Sequence, residues 1–199
     1  MLVFIRWLSR RSLPFLHALG GLAGWLAWLA SPSYRRRHTE NARRAGISTA
    51  ERRASIAQAG RLVFELPRLW LRPPGDPIAD PVRWEGEALI EAAIERRRGL
   101  VILTPHLGSF DLAAQAYAER FGPRQPLTVL FRPSRQAGLQ GLEATARQRP
   151  HLSSAPATLA GVRQLLRALK QGHTLGLLPD QVPPQGQGEW VPFFGQPAY

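Results

Sequence analysis

An uncharged apolar stretch near the N-terminus places the strongest constraint on how this chain folds. Residues 13–30, LPFLHALGGLAGWLAWLA, carry no formal charge over 18 positions. A helix needs about 20 apolar residues to cross a bilayer core, and Pro14, His17 and the glycines weaken the signal. The stretch predicts a membrane anchor that either crosses the bilayer or lies in its interface. The competing interpretations are a cleaved signal peptide and a buried first helix of a soluble fold.

Basic residues surround this apolar stretch on both sides. The first 72 residues contain 13 Arg against three acidic residues, whereas residues 73–199 carry 13 basic and 11 acidic residues. A basic region that encloses an apolar helix predicts contact with anionic lipid head groups rather than with nucleic acid. The arginines are more numerous after the stretch than before it, which favours a body on the cytoplasmic side.

A proline-rich segment over residues 72–81 divides the chain, because four prolines in ten residues exclude both a helix interior and a central strand. We expect a membrane anchor over residues 1–31, a helical membrane-facing region with the linker over 32–81, and an α/β domain over 82–199. In the middle region one helix should run to about Ala45, where Gly46 stops it. A second should start at a capping box and continue to Leu71.

From residue 82 onward, short apolar runs alternate with amphipathic stretches. The predicted strands are 100–104, 127–131 and 174–178, and the predicted helices are 87–98, 109–120, 135–147 and 158–171. Alternation of this kind implies crossover units. The predicted fold class is therefore α/β, with an N-terminal anchoring helix and helical region followed by a mixed, mostly parallel sheet flanked by helices.

Each predicted strand ends in a proline beside polar residues. The three exits read Pro105-His106, Arg132-Pro133 and Pro179-Asp180-Gln181. In open α/β sheets ligands bind beyond the carboxyl ends of the strands. We therefore expect these side chains to converge on one pocket.

The segment from His106 to Asp111, HLGSFD, is the sharpest chemical signal. A loop with Gly108 can fold His106 back so that Asp111 holds one ring nitrogen, which leaves the other free to take a proton from a hydroxyl. Ser109 lies outside any nucleophile elbow and is expected to cap the following helix. From these residues alone, a plain helix N-cap beside an incidental histidine explains the segment equally well.

The wider pattern resembles a known family. The segments GLVILTPHLGSFDLAA, LTVLFRPSR and TLGLLPDQVPPQGQGEWVPFFGQPA are similar to those of the bacterial lipid A biosynthesis late acyltransferases of the lauroyl and myristoyl type. That family lies within the lysophospholipid and glycerolipid acyltransferase superfamily. The resemblance implies transfer of a fatty acyl chain from acyl carrier protein to a hydroxyl of a lipid A precursor at the cytoplasmic face of the bacterial inner membrane. Family members continue beyond PFFG, so the chain is expected to be C-terminally truncated.

The resemblance also assigns roles to individual residues. It implies that His106 is the general base and Asp111 its partner. It implies substrate-binding roles for Arg132, Arg135, Asp180 and Gln181. The guanidinium of Arg132 would bind a phosphate of the acceptor or of the donor's pantetheine arm. No cofactor and no metal is expected, since the five histidines do not cluster at ligand spacing.

Two alternatives remain open at this level. The acceptor could instead be a lysophospholipid, an ornithine lipid or a mannosylated inositol lipid, because no motif specifies it. A protein of another class, a non-catalytic basic membrane-surface binder, would bind lipid in a salt-sensitive way that is independent of His106 and Asp111.

Overall fold

The structure is a computed structural model that describes residues 2–73, 75–78, 82–132, 141, 149–193 and 195–199. The chain divides into two compact units. One comprises Met1–Ala79 with Pro133–Pro150 and is helical, and the other comprises Asp80–Arg132 with His151–Tyr199 and contains the sheet. The predicted α/β fold class, with its N-terminal apolar helix and flanked parallel sheet, is confirmed.

Within residues 2–73 the helical unit contains four helices: α1 (Leu2–Ser9), α2 (Leu13–Ala30), α3 (Pro32–Arg44) and α4 (Thr49–Trp70). The predicted capping box is present at the start of α4. The Ser48 hydroxyl accepts from the Glu51 N–H, and the Glu51 carboxylate accepts from the Ser48 N–H. The Ser48 hydroxyl also donates to the Glu51 carboxylate at 2.6 Å, and this bond together with that from the Ser48 N–H lowers the pKa of Glu51. The predicted ends of α3 and α4 agree with the structure to within one residue.

Helices α2 and α4 touch backbone to backbone. A Cβ added to Gly24 would lie 2.5 Å from the carbonyl oxygen of Ile56, and one added to Gly20 would lie 2.7 Å from that of Gly60. Small residues four apart on one helix face permit this approach. Polar groups also meet in the contact, since His17 Nε2 lies 2.6 Å from Glu65 Oε1.

The opposite face of α2 is exposed. Leu22, Leu26 and Leu29 are each more than half exposed, at 58%, 57% and 57%. Among the described residues α2 is the single helix long and apolar enough to be a candidate membrane span, and 22% of its window is buried. The helix therefore presents most of its apolar surface outward.

A buried arginine binds carbonyl groups at the C-terminal end of α4. The sequence analysis did not predict this role. Arg149 is 7% exposed, and its guanidinium donates to the carbonyl oxygens of Leu69 at 3.3 Å and of Arg72 and Pro73 at 2.6 Å each. A cation beside the last carbonyls of a helix satisfies acceptors that have no partner within the helix. Arg149 thus caps the C-terminal end of α4.

The α/β unit contains a parallel sheet and a separate hairpin. Its elements are α5 (Glu87–Glu95), β1 (Leu100–Leu103), α6 (Phe110–Arg120), β2 (Leu127–Phe131), β3 (Leu152–Pro156), α7 (Leu159–Lys170), β4 (Thr174–Leu177), β5 (Val191–Phe193) and β6 (Gln196–Ala198). The four-stranded sheet has the order β1-β4-β2-β3 with every pairing parallel, and β5 pairs with β6 antiparallel.

Most elements of this unit were predicted. The strands at 100, 127 and 174 are confirmed, whereas β3 and the β5–β6 hairpin were not predicted. Helix α5 ends at Glu95 instead of Arg98, because the chain turns into the left-handed region at Arg97 (φ 52°) and Gly99 (φ 76°) before it enters β1. The helix predicted over residues 135–147 lies, apart from Gly141, outside the described residues.

Apolar side chains cover both faces of the sheet. On one face the buried cluster comprises Ile94, Tyr117, Ala118, Phe121, Leu127 and Leu152. On the other it comprises Ala155, Leu165, Ala168 and Leu175. Successive residues of each strand therefore alternate between a layer of α5 and α6 and a layer of α7.

A polar cluster at the start of β4 fixes this strand. The fully buried Thr174 hydroxyl lies 2.7 Å from the Tyr117 hydroxyl and accepts a bond from the Gln125 side chain at 3.0 Å. Burial raises the pKa of Tyr117, so its hydroxyl stays neutral. A buried network in which each group has a partner favours one register over others.

The α2–α4 contact generates a stability prediction. Gly60→Ala should lower the free energy of unfolding by about 1–3 kcal/mol, because the added methyl overlaps the Gly20 carbonyl oxygen. This loss should occur although alanine is the better helix former by about 0.5–1 kcal/mol. Thermal unfolding of the purified protein in detergent measures it. The exposed neighbour Ala59 supplies the control Ala59→Val, which should melt close to the wild type. An unchanged Tm in Gly60→Ala would contradict the close contact.

Candidate active site at the ends of two parallel strands

The register between β1 and β4 places two polar side chains at the same level. Leu103 lies opposite Leu177 in the parallel ladder, and the ladder continues one step because the Thr104 N–H donates to the Leu177 carbonyl at 3.0 Å. His106 and Asp180 each follow three residues after these paired leucines. Equal steps from matched positions bring both residues to the carboxyl edge of the sheet together.

Asp180 holds His106 at two points. Its Oδ1 accepts a hydrogen bond from His106 Nδ1 at 2.7 Å, and its Oδ2 accepts from the His106 backbone N–H at 2.8 Å. These bonds favour the charged carboxylate and hold the pKa of Asp180 below its usual value. The rings of Phe110 and His106 meet in a T-shaped arrangement, with 4.9 Å between their centroids. Asp180 and Phe110 together therefore restrict the orientation of the imidazole.

The second ring nitrogen points to the next residue after Asp180. Gln181 Nε2 lies 3.3 Å from His106 Nε2. When Nδ1 carries the proton that Asp180 accepts, the neutral ring has its lone pair on Nε2. The Gln181 amide then donates to that lone pair. The His106 side chain remains 31% exposed, so the imidazole is partly open to solvent.

Asp111 occupies the first turn of α6, where an acidic side chain is favoured by the helix dipole. It is half-buried. In this structure the two ring nitrogens of His106 face Asp180 and Gln181, so the pairing of Asp111 with His106 stays a prediction. Ser109 holds the N-cap position of α6 without a side-chain capping bond. The expected turn is present at Gly108, whose φ of 59° favours glycine.

The remaining predicted site residues separate into two groups. Arg132 follows β2 directly and is exposed. Since β2 neighbours β4 in the sheet, Arg132 leaves the same edge as Asp180. Arg135 lies outside the described residues. The structure thus brings together His106, Asp180 and Gln181.

An apolar groove of about 310 Å³ begins beside the first turn of α6. Its lining comprises Val82, Arg83, Trp84, Ser109, Leu112, Ala113 and Ala116. Ser109 belongs to the loop that carries His106, so the groove adjoins the candidate base through that loop. Most of these lining side chains are apolar, which is typical of sites that bind apolar groups.

The sequence analysis did not predict the contact of Asp180 with His106; the resemblance implied a substrate-binding role for Asp180. A local reading of HLGSFD favours a partner five residues away, whereas the observed partner is 74 residues away. One signal was present in the sequence. Pro105 and Pro179 each precede the polar residue and stand at the same distance from their strands, as expected if neighbouring strands deliver the two side chains to one place.

Comparison with known proteins adds an independent finding. Residues 2–199 match the family model described as bacterial lipid A biosynthesis acyltransferase. Compared with curated proteins, the chain has no significant match. The family match covers the helical unit as well as the strand ends that carry His106 and Asp180.

The contact between His106 and Asp180 predicts that the Asp180 carboxyl titrates at a lower pH than a free aspartate. The carboxyl carbon of Asp180 should titrate below the usual value of about 3.9, and His106→Ala should return its midpoint towards that value. Any stability that the ionised carboxylate contributes is present above its unfolded-state pKa and is lost as the pH falls through the lowered folded-state pKa. Carbon-13 NMR of aspartate-labelled protein measures the midpoint, and the chain has only four aspartates to assign. A midpoint at or above the usual value would contradict the contact.

Proposed function

The chain belongs to the bacterial lipid A biosynthesis acyltransferase family, and on that premise we propose that it transfers a fatty acyl chain from acyl carrier protein to a hydroxyl of a lipid A precursor. The family identifies the protein as an acyltransferase of lipid A biosynthesis with an acceptor of the lipid A type. The donor, the reacting hydroxyl and the roles of individual residues belong to the proposal.

The observation that carries the mechanism is the orientation of His106 by Asp180. A carboxylate on Nδ1 sets the tautomer that leaves Nε2 able to accept a proton, and it stabilises the imidazolium once the proton has arrived. The 2.7 Å contact supports this arrangement. We therefore assign His106 as the general base and Asp180 as the residue that positions it, in place of a substrate-binding role for Asp180.

In the proposed reaction His106 carries one proton from the acceptor hydroxyl to the leaving thiolate, and no cofactor takes part. Nε2 of His106 takes the proton of the acceptor hydroxyl as the oxygen attacks the thioester carbonyl. The tetrahedral intermediate collapses, the carbon–sulfur bond breaks, and the thiolate of the carrier takes the proton back from the imidazolium. The products are an ester on the acceptor and a free thiol on the carrier protein.

The other predicted site residues act on substrate groups in this proposal. Arg132, exposed at the same sheet edge, supports contact with a phosphate of the acceptor or of the pantetheine arm, and Arg135 extends that contact. Gln181 gives up its bond to Nε2 and donates to the acceptor oxygen instead. Asp111, at the start of α6, remains the second candidate for a carboxylate that acts on His106. The groove beside α6 suits the acyl chain.

The helical unit supports a location at the cytoplasmic face of the inner membrane. An open cavity at the C-terminal end of α2 is lined by Trp28, Arg35, Arg36, Arg37, Arg44 and Arg52 among others. Hydrogen bonds from Arg43 and Arg44 lower the pKa of the neighbouring Glu40 to about 2, so this acid remains charged and offsets part of the basic charge. The remaining arginines suit anionic lipid head groups.

His106→Ala should lower acyl transfer by about 10²–10⁴-fold, because a positioned general base contributes a factor of that size. The assay incubates membranes carrying each variant with acyl carrier protein charged with a labelled C12 or C14 chain and a tetra-acylated lipid A precursor. His173→Ala is the matched control, since His173 precedes β4 and its backbone carbonyl makes the sheet contact. This variant should remain active.

Each alternative outcome identifies a different error. Full activity in His106→Ala would refute the general-base mechanism. Transfer to lysophospholipid but not to the lipid A precursor would show that the proposed acceptor is wrong. Absence of any transfer by the wild type, combined with vesicle binding that weakens with salt, would favour a non-catalytic membrane-surface protein.

A pair of substitutions separates the two candidate carboxylates. Asp180→Asn should reduce kcat by about 10²-fold or more, since the neutral amide no longer stabilises an imidazolium. The loss should fall on kcat with KM close to the wild-type value, which a purely structural defect would not produce. Asp111→Asn should keep kcat close to the wild-type value. The reverse pattern would assign the positioning role to Asp111.

A further inference from the structure

Helices α2 and α4 run antiparallel along the whole length of the apolar stretch. The contacts between them join His17 to Glu65, Gly20 to Gly60 and Gly24 to Ile56. At the far end Trp28 of α2 and Arg52 of α4 line the same cavity. Any position that α2 takes in a membrane is therefore shared by residues 52–65 of α4.

This shared position brings charged groups to the middle of α2. The guanidinium of Arg61 lies against Gly21, since its Nε is 3.6 Å from the position of an added Cβ. Glu65 follows one turn later and contacts His17. If α2 crossed the bilayer, Arg61 would lie near the centre of the hydrocarbon core and Glu65 within it. A charged side chain at that depth is costly.

The flanking charges also disfavour a crossing. Arg10 and Arg11 precede α2, while Arg35, Arg36 and Arg37 follow it by a few residues. Arginines next to an apolar helix keep that end on the cytoplasmic side. Because both ends of α2 carry them, the same rule retains both ends on one side.

The exposed surface suits insertion to a shallow depth. Phe15, Leu22, Leu26 and Leu29 are 43–58% exposed, and by helical periodicity they lie on the face opposite the glycines that contact α4. Trp7 of α1 extends this face, as its ring meets that of Phe15 at 5.9 Å. The face is thus apolar and continuous, while the charged side of the pair is α4.

We propose that α2 does not span the bilayer but lies with α4 along the cytoplasmic surface, its Phe15–Leu29 face embedded in a single leaflet that carries anionic head groups. This inference rests on the membrane association in the proposed function, but not on the reaction. A helix of this kind buries one face at the boundary between head groups and acyl chains. The arginines at its two ends then meet phosphates of the same leaflet.

Cysteine accessibility tests the proposal directly, because the chain contains no cysteine. Ser12→Cys and Ser33→Cys are closely matched replacements at exposed positions on either side of α2. Gln171→Cys, exposed after α7, reports the side on which the α/β unit lies. A membrane-impermeant maleimide is applied to inside-out inner-membrane vesicles and to right-side-out spheroplasts that contain each full-length variant.

All three cysteines should react in inside-out vesicles and be protected in spheroplasts. Reaction of Ser12→Cys and Ser33→Cys from opposite sides would overturn the proposal and establish a span. Recovery of the protein in the soluble fraction would overturn it as well.

As a second measurement, the double variant Leu22→Gln, Leu26→Gln should be released from vesicles while its helix content, measured by circular dichroism, stays unchanged. Full retention on the vesicles would contradict an embedded face. Acyl transfer is assayed separately, so failure of the reaction does not affect these readings.

Discussion

Hydrogen bonds between β1 and β4 determine where the candidate chemistry lies. These strands are more than 70 residues apart in the chain, yet their register puts Leu103 opposite Leu177. The polar cluster around Thr174 fixes the start of β4, and the ladder then fixes its end. Without this strand pairing, His106 and Asp180 would not be held next to each other. The chemistry of the site is thus a consequence of sheet topology more than of any local motif.

The chain's local signals predicted a large part of this fold. Strands β1, β2 and β4 are compact apolar runs between glycines and prolines, and the helix that starts at Ser48 has a reciprocal cap. In such segments local propensity and tertiary environment agree. His106 was predicted as a candidate site residue for a similar reason, because a histidine directly after a buried strand lies where α/β sheets bind ligands.

The elements that escaped prediction depend on partners distant in sequence. Strand β3, LSSAP, lacks the β-branched and aromatic residues typical of strands and forms at the sheet edge by pairing with β2. Arg149 reads as an ordinary surface arginine, but it is buried against three carbonyl groups about 80 residues earlier. The contact of Asp180 with His106 has the same origin. Pairwise contacts of this kind leave no periodic trace in the sequence.

The contact of glycines between α2 and α4 has a genetic consequence. Every single-base missense change in a glycine codon introduces a side chain with a Cβ atom. At Gly20, Gly24 and Gly60 that atom would press on the backbone of the opposite helix. A random mutagenesis screen for lost function should therefore return these codons, although none of them belongs to the candidate site at the strand ends.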